Sequence, residues 1–405
     1  MSPRPFRLGS ALALVLALAC GGGGGGAGTS LSSGGPPSPP SGLASTGALG
    51  RISLTWNASP GASGYYVYRS APGGSPARLN ASPVSALAYD DLLASPGADG
   101  VLYTYQVTAA SASGESAPSA STANLHGTRL PAANPAGFTA STVASPYVVE
   151  GTATVDGGDV TVQAGAMLCV KPGGVLSLQD AATLRVQGTF RALGTAAAPA
   201  VVNGHGFAAN DPARGIGVVF DGATAYNAGT GLGCLLDHAQ ITGLALGNAR
   251  LRILNAAPAL RHCKIASNDP QGRTYLELMT GCGAAITRCA FTGVVPTLNG
   301  DLRSQGFSLS QCTFSGGYYG IYVGPLTSPG LAAGQFTGNL MNGAKDAVLY
   351  FVTASSDVPL AGNYWSGGTG TPPLPAVNPL GSTNTATLTL MPALTSAPSP
   401  AGPDW

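Results

Sequence analysis

Leu236-Asp237-His238-Ala239-Gln240-Ile241 is the stretch that decides the architecture, because its pattern returns. It recurs as Leu260-Arg261-His262-Cys263-Lys264-Ile265, Ile286-Thr287-Arg288-Cys289-Ala290-Phe291 and Leu309-Ser310-Gln311-Cys312-Thr313-Phe314. Further copies read Leu331-Ala332-Ala333-Gly334-Gln335-Phe336 and Leu360-Ala361-Gly362-Asn363-Tyr364-Trp365, and successive copies start 24, 26, 23, 22 and 29 residues apart. Each copy runs apolar, two polar or small, one small, one variable, apolar. A period in the low twenties marks a stack of repeating units. No helical period intervenes, and Gly or Asn follows most copies, so each unit reads as a coil of short strands lying on the previous one. Parallel strands lie ~4.8 Å apart, which lines up equivalent residues as ladders. Ala239, Cys263, Cys289, Cys312, Gly334 and Asn363 are the expected inward ladder, at a bend that admits only small or hydrogen-bonding residues.

The dense L-x-x-L-x-L run of leucine-rich repeats is absent, which leaves a parallel β-helix. Upstream, Leu184-Arg185-Val186-Gln187-Gly188-Thr189-Phe190-Arg191-Ala192-Leu193-Gly194-Thr195 and Gly215-Ile216-Gly217-Val218 are less regular copies, and Gly362-Asn363-Tyr364-Trp365 closes the array. These segments resemble the opening and closing coils of bacterial right-handed parallel β-helix surface proteins of the pectate-lyase-like kind. The resemblance covers residues 135–394, with irregular opening coils at 145–220 and regular coils at 232–366, roughly ten coils in all. It is specific for fold and weak for function, because such scaffolds host many chemistries.

Between residues 40 and 127 the pattern has period two. Ile52, Leu54 and Trp56 alternate in one strand, Tyr66 and Tyr68 in the next, and Tyr103, Tyr105, Val107 and Ala109 in a later one. Such short alternating strands separated by turn signals read as a β-sandwich. The segment resembles a fibronectin type III domain, with Tyr103 at the family's corner tyrosine, and its expected role is a spacer. The fold class is therefore all-β: a fibronectin type III sandwich followed by a single-stranded right-handed parallel β-helix.

Composition supports this. Of 405 residues, 60 are Gly and 32 Pro, only 9% are charged, the net charge is +1 and 44% are hydrophobic. A near-neutral surface gives no electrostatic basis for nucleic-acid binding. The N-terminus carries Arg4 and Arg7, an apolar run over Leu8–Ala19, then Cys20 and six glycines. The run is too short to span a bilayer, which takes ~20 residues. It resembles a bacterial lipoprotein signal, which implies cleavage after residue 19 and lipidation of Cys20. A Gly/Ser/Pro tether over 20–39 follows, and 395–405 is a tail. The implied location is the cell envelope, lipid-anchored, at the outer membrane.

Six other cysteines remain. Export favours disulfides, whereas a ladder position favours buried thiols, and both readings stand. Clustered ionisable groups arise at one place: Asp237, His238, Arg261, His262 and Arg288 fall at the two positions before the ladder residue on successive coils. They are the candidate acid/base or glycan-gripping residues. Two histidines without a third ligand make a poor metal site, and neither metal nor other cofactor is expected. Tyr318, Tyr319 and Tyr322 are candidate sugar-stacking residues. The carboxylates show no stacked pair of the kind a glycoside hydrolase needs. The expected function is a non-enzymatic envelope lipoprotein presenting a β-helix surface for glycan binding or adhesion. The alternatives are a polysaccharide lyase or hydrolase and a structural envelope protein. Oligomeric state is not legible.

Overall fold

The computed structural model describes residues 34–93, 99–134, 136–179, 182–205, 216–244, 251–299, 301–323, 331–342, 347–351, 358–365, 376–377, 388–389 and 403. The signal segment, Cys20 and most of the tether, and nearly all of the 395–405 tail lie outside the described residues. Among these residues no helix is long and apolar enough to cross a membrane.

Two antiparallel sheets form the sandwich. One joins Ala44–Ala48, Arg51–Thr55 and Ala88–Leu92, and the other is centred on the pairing of Gly64–Ser70 with Tyr103–Ser111. The alternation buries Ile52, Leu54 and Trp56 against Val67, Tyr105 and Val107. In the Gly64–Ser70 strand the inward pair is Tyr65 and Val67. Tyr66 and Tyr68 face outward, where Tyr66 lies under Arg78 and the Tyr68 hydroxyl donates to Glu115 at 2.6 Å.

The parallel coil begins at Thr128, ahead of the expected residue 135, because Thr128–Arg129 and Ala133–Asn134 already pair in its walls. Each coil lays one strand in each of three sheets in turn. Among the described residues, sheet I has nine strands from Thr128–Arg129 to Phe336–Thr337. Sheet II has ten from Ala133–Asn134 to Tyr364–Trp365, and sheet III ten from Phe138–Ala140 to Ala376–Val377. Inward ladders run Leu236, Leu260, Ile286, Leu309, Phe336 on sheet I and Ile241, Ile265, Phe291, Phe314, Met341 on sheet II. Phe291 and Phe314 stack at 4.6 Å and 5°, a separation set by the strand spacing itself. A final short pair, Val358–Pro359 with Leu388–Thr389, lies apart from the three walls.

Between sheets I and II the chain turns on a single left-handed residue. His238, His262, Arg288 and Gln311 have φ of 49°, 52°, 52° and 55°, and Gly338 and Gly362 take the same position with 67° and 78°. The next residue points inward: Ala239, Cys263, Cys289, Cys312, Asn339 and Asn363 are all 0% exposed. Asn339, not Gly334, occupies the fifth rung. Phe336 closes the copy begun at Leu331 and opens another, Phe336–Met341, so spacing alone admits both registers. Only the second places an amide where the bend leaves backbone groups to satisfy. Asn339 Oδ1 accepts the Cys312 N–H at 2.9 Å and its Nδ2 donates to the Leu309 carbonyl at 3.1 Å. Asn363 repeats this, accepting from Asn339 N–H at 3.0 Å and donating to Phe336 O at 2.9 Å. Gly334 sits in an exposed turn at φ 83°.

The thiols continue this ladder as weaker versions of the same device. Cys312 Sγ accepts the Cys289 N–H at 3.5 Å and lies 3.3 Å from the Ser310 carbonyl, and Cys263 Sγ lies 3.2 Å from the Arg261 carbonyl. All six described cysteines are free and buried. Burial pushes Cys169 and Cys282 up to about 12 and Cys234 up to about 11, so none of these three offers a thiolate at neutral pH. Iodoacetamide at pH 8 is therefore expected to label none of the six in folded protein and all six in denaturant, read by intact mass. Phe291→Ala is expected to cost ~3–5 kcal/mol, the usual penalty for emptying an aromatic site in a packed core, measured by denaturant unfolding.

Candidate functional site

The outward positions of sheet I alternate with its inward ones. One outward row runs Val148, Cys169, Arg191, Leu235, Ala259. So apolar a stripe is costly to leave in water, and the sandwich covers it. Leu125 from the sandwich side joins Val148, Cys169, Leu193, Leu235 and Ala259 in one cluster, with Leu102, Met167 and Tyr226 packed alongside. At Gly100 the approach is so close that a Cβ would come within 2.6 Å of Met167 Sδ and 2.7 Å of Arg191 Cδ. Arg129 donates to the Leu125 carbonyl at 3.0 Å and pairs with Glu150 at 2.8 Å. The sandwich is thus seated on the β-helix wall and is not a spacer held by a linker.

Beside this seated patch the two units part and leave a cleft of about 650 Å³. Tyr103 lines it from the sandwich; Arg191, Tyr226, Asp237 and Arg261 line it from the β-helix, with residues 228–232 as its rim. The rim belongs to the long connection between the strands Gly217–Asp221 and Leu235–Asp237. Asn227 Oδ1 shapes it by accepting the N–H groups of Gly229 and Thr230 at 2.9 and 3.1 Å. Arg191, only 5% exposed, clamps the rim by donating through Nη1 to the carbonyls of Gly231 and Gly233, both at 2.9 Å. Its buried Nε meets no acceptor among the described residues, and burial lowers its affinity for the proton. Arg261 lies 5.6 Å over the Tyr226 ring and pairs with Asp237 Oδ2 at 3.3 Å.

Asp237 closes the site at the sheet I–II corner. Its Oδ1 is 2.9 Å from His238 Nδ1 and 3.1 Å from His262 Nδ1. The two imidazoles stack at 4.6 Å and 28°. One carboxylate therefore gathers two imidazoles and one guanidinium. Four of the five residues expected to cluster do so. Arg288 does not join them, since its Nε donates to Gln311 Oε1 on the next coil at 3.3 Å. Tyr319 and Tyr322 are on sheet III, a different wall, and Tyr318 immediately precedes their strand. Tyr322 packs edge-on to Tyr275 at 5.8 Å, the Tyr318 N–H donates to the Gly272 carbonyl, and Tyr319 pairs by its backbone with Ala347. Tyr103 lies against Arg69, with the guanidinium 4.7 Å from its ring centre.

The sequence pattern did not point to Arg191, Tyr226 or Tyr103 as site residues. Arg191 carried a usable signal, a charge at a strand position between the apolar Phe190 and Ala192. The irregular connection around Tyr226 carried another, because long loops on a rigid scaffold concentrate binding groups. Tyr103 carried none, since its place depends on how the sandwich is seated.

No protein-family model matches the chain and no curated protein matches it. Among solved structures, it is similar to an Fn3-like protein from Clostridium thermocellum, at 34% identity, over 22% of this chain and 90% of that one, with a TM-score of 0.19. It is similar to a β-1,2-glucanase from Parabacteroides distasonis at 23% identity over 22% of this chain and 12% of that one, TM-score 0.20. It is also similar to a pectate lyase from Erwinia chrysanthemi, solved with tetragalacturonic acid, at 10% identity over 76% of this chain and 91% of that one, TM-score 0.19. Arg191→Met is expected to cost ~1–3 kcal/mol by stranding the carbonyls of Gly231 and Gly233 and to open residues 226–233 to protease, both measurable by unfolding and limited proteolysis.

Proposed function

We propose that the protein is an exported lipoprotein of the cell envelope that binds a glycan, without reacting on it, in the cleft between its sandwich and its β-helix. The observation that carries this reading is the wall of that cleft. Two tyrosines, Tyr103 and Tyr226, and two arginines, Arg191 and Arg261, share a space of about 650 Å³ with Asp237. A volume within ~300–1,000 Å³ suits a small ligand or a few sugar residues. Tyrosine rings offer apolar faces to pyranose rings. Guanidinium groups hold carboxylates or paired hydroxyls through parallel N–H donors. The ligand class is therefore an anionic or hydroxylated glycan.

The N-terminal segment supplies the location. An apolar run of signal length followed by Cys20 and glycines fits export, lipid attachment and a free-swinging tether. On this reading Cys20→Ser abolishes incorporation of labelled fatty acid and moves the protein from the membrane fraction to the soluble fraction. A glycan array carrying neutral and uronate-containing polysaccharides tests the cleft. Binding is expected, with Tyr226→Ala and Arg261→Ala each weakening it about tenfold or more, the equivalent of ~1.4 kcal/mol. Unsaturated or new reducing ends in the bound glycan identify a lyase or hydrolase instead. No binding across the panel, with an altered envelope in a deletion strain, identifies a structural protein.

A further inference from the structure

We propose that Asp237, His238 and His262 form a binding site for one divalent transition-metal cation, with Zn²⁺ the best fit. One donor atom from each of the three lies within 4.8 Å of the others. The donor set is two imidazoles and a carboxylate, which suits borderline cations such as Zn²⁺ better than the oxygen-seeking Ca²⁺ or Mg²⁺.

The fold brings these donors together through its repeat. His238 and His262 hold the same left-handed corner on successive coils, so the coil spacing alone sets their rings 4.6 Å apart. Asp237 is the last residue of its sheet I strand and immediately precedes the first corner. The two Nδ1–Oδ1 separations, 2.9 and 3.1 Å, are close to the ~3.3 Å edge of a tetrahedron with metal–ligand bonds of ~2.0–2.1 Å. Two of the three edges of the site therefore already have nearly the length that a bound ion requires. The rings, inclined by 28°, turn further to aim both nitrogens at one ion. Arg261 takes the other carboxylate oxygen, Oδ2, at 3.3 Å, as an outer partner that fixes the orientation of a ligating carboxylate. All three side chains keep partial access to solvent, at 26% for Asp237, 23% for His238 and 21% for His262, so an ion can enter and a water can complete its coordination. The six described thiols, the softer competitors for Zn²⁺, are buried.

The test uses the full-length chain, stripped with EDTA, and the metal alone as probe. Zn²⁺ titrated calorimetrically is expected to saturate at one ion per chain. Asp237→Asn and His262→Ala are each expected to weaken binding at least tenfold, and Arg288→Ala to leave it unchanged. Far-UV circular dichroism and melting curves establish that each variant is folded. Co²⁺ gives a second readout on the unmutated protein, with visible d–d bands of four- or five-coordinate geometry and no sulfur charge-transfer band. Three results would overturn the proposal. They are the absence of saturable Zn²⁺ binding, an affinity that survives both ligand substitutions, and a sulfur-to-cobalt charge-transfer band, which places the metal on cysteine. Glycan binding is read separately through Tyr226→Ala, which removes none of the three ligands, so the failure of either reading is distinguishable from the failure of the other.

Discussion

The spacing between parallel strands is the constraint on which the structure depends. Once the chain winds so that each strand hydrogen-bonds to its equivalent one coil on, every side chain acquires a copy-neighbour about 4.8 Å away. That single distance explains features that otherwise look unrelated. It stacks Phe291 on Phe314 face to face. It lets Asn363 satisfy the backbone of Asn339, and Asn339 that of Cys312. It holds two imidazoles one ring-stacking distance apart above a shared carboxylate oxygen. A stack of this kind is built from neighbour terms, so chemistry is concentrated by repeating a position and not by folding distant segments together.

The corner between sheets I and II shows what the constraint demands locally. The bend needs one residue at positive φ and then a small or amide side chain turned inward. Glycine meets the first demand most cheaply, because other residues lose ~1–2 kcal/mol there, and Gly338 and Gly362 use it. His238, His262, Arg288 and Gln311 accept the strain in the coils before them. Cysteine in three inward rungs is a compromise of the same kind. It fills the volume and makes weak sulfur hydrogen bonds where asparagine makes full ones.

The sandwich adds a second surface to the stack. Its seat on sheet I covers Val148, Cys169 and Leu235, which would otherwise be an exposed apolar wall. The edge of that seat creates the cleft. Arg191 joins the two functions, because it is buried beneath the sandwich and also holds the rim of the cleft by two carbonyls.

The sequence by itself determined the all-β class, the sandwich before the coil, the outward juxtaposition of Asp237, His238, Arg261 and His262, and the inward ladder through Ala239, Cys263, Cys289 and Cys312. These follow from local periodicity, because strand alternation and coil repeat act between residues whose spacing in the chain is nearly fixed. The rung at Asn339 was not legible, since Phe336 fits two registers of the apolar pattern and only backbone groups left unsatisfied at the bend distinguish them. The direction of Arg288, which turns to Gln311 and away from His262, is a choice between two neighbours that spacing presents equally. The seat of the sandwich, the burial of Arg191 and the meeting of Tyr103 with Tyr226 were decided only in three dimensions. They depend on complementarity between two surfaces whose residues lie far apart in the chain, and no periodicity in either segment encodes the face it will meet.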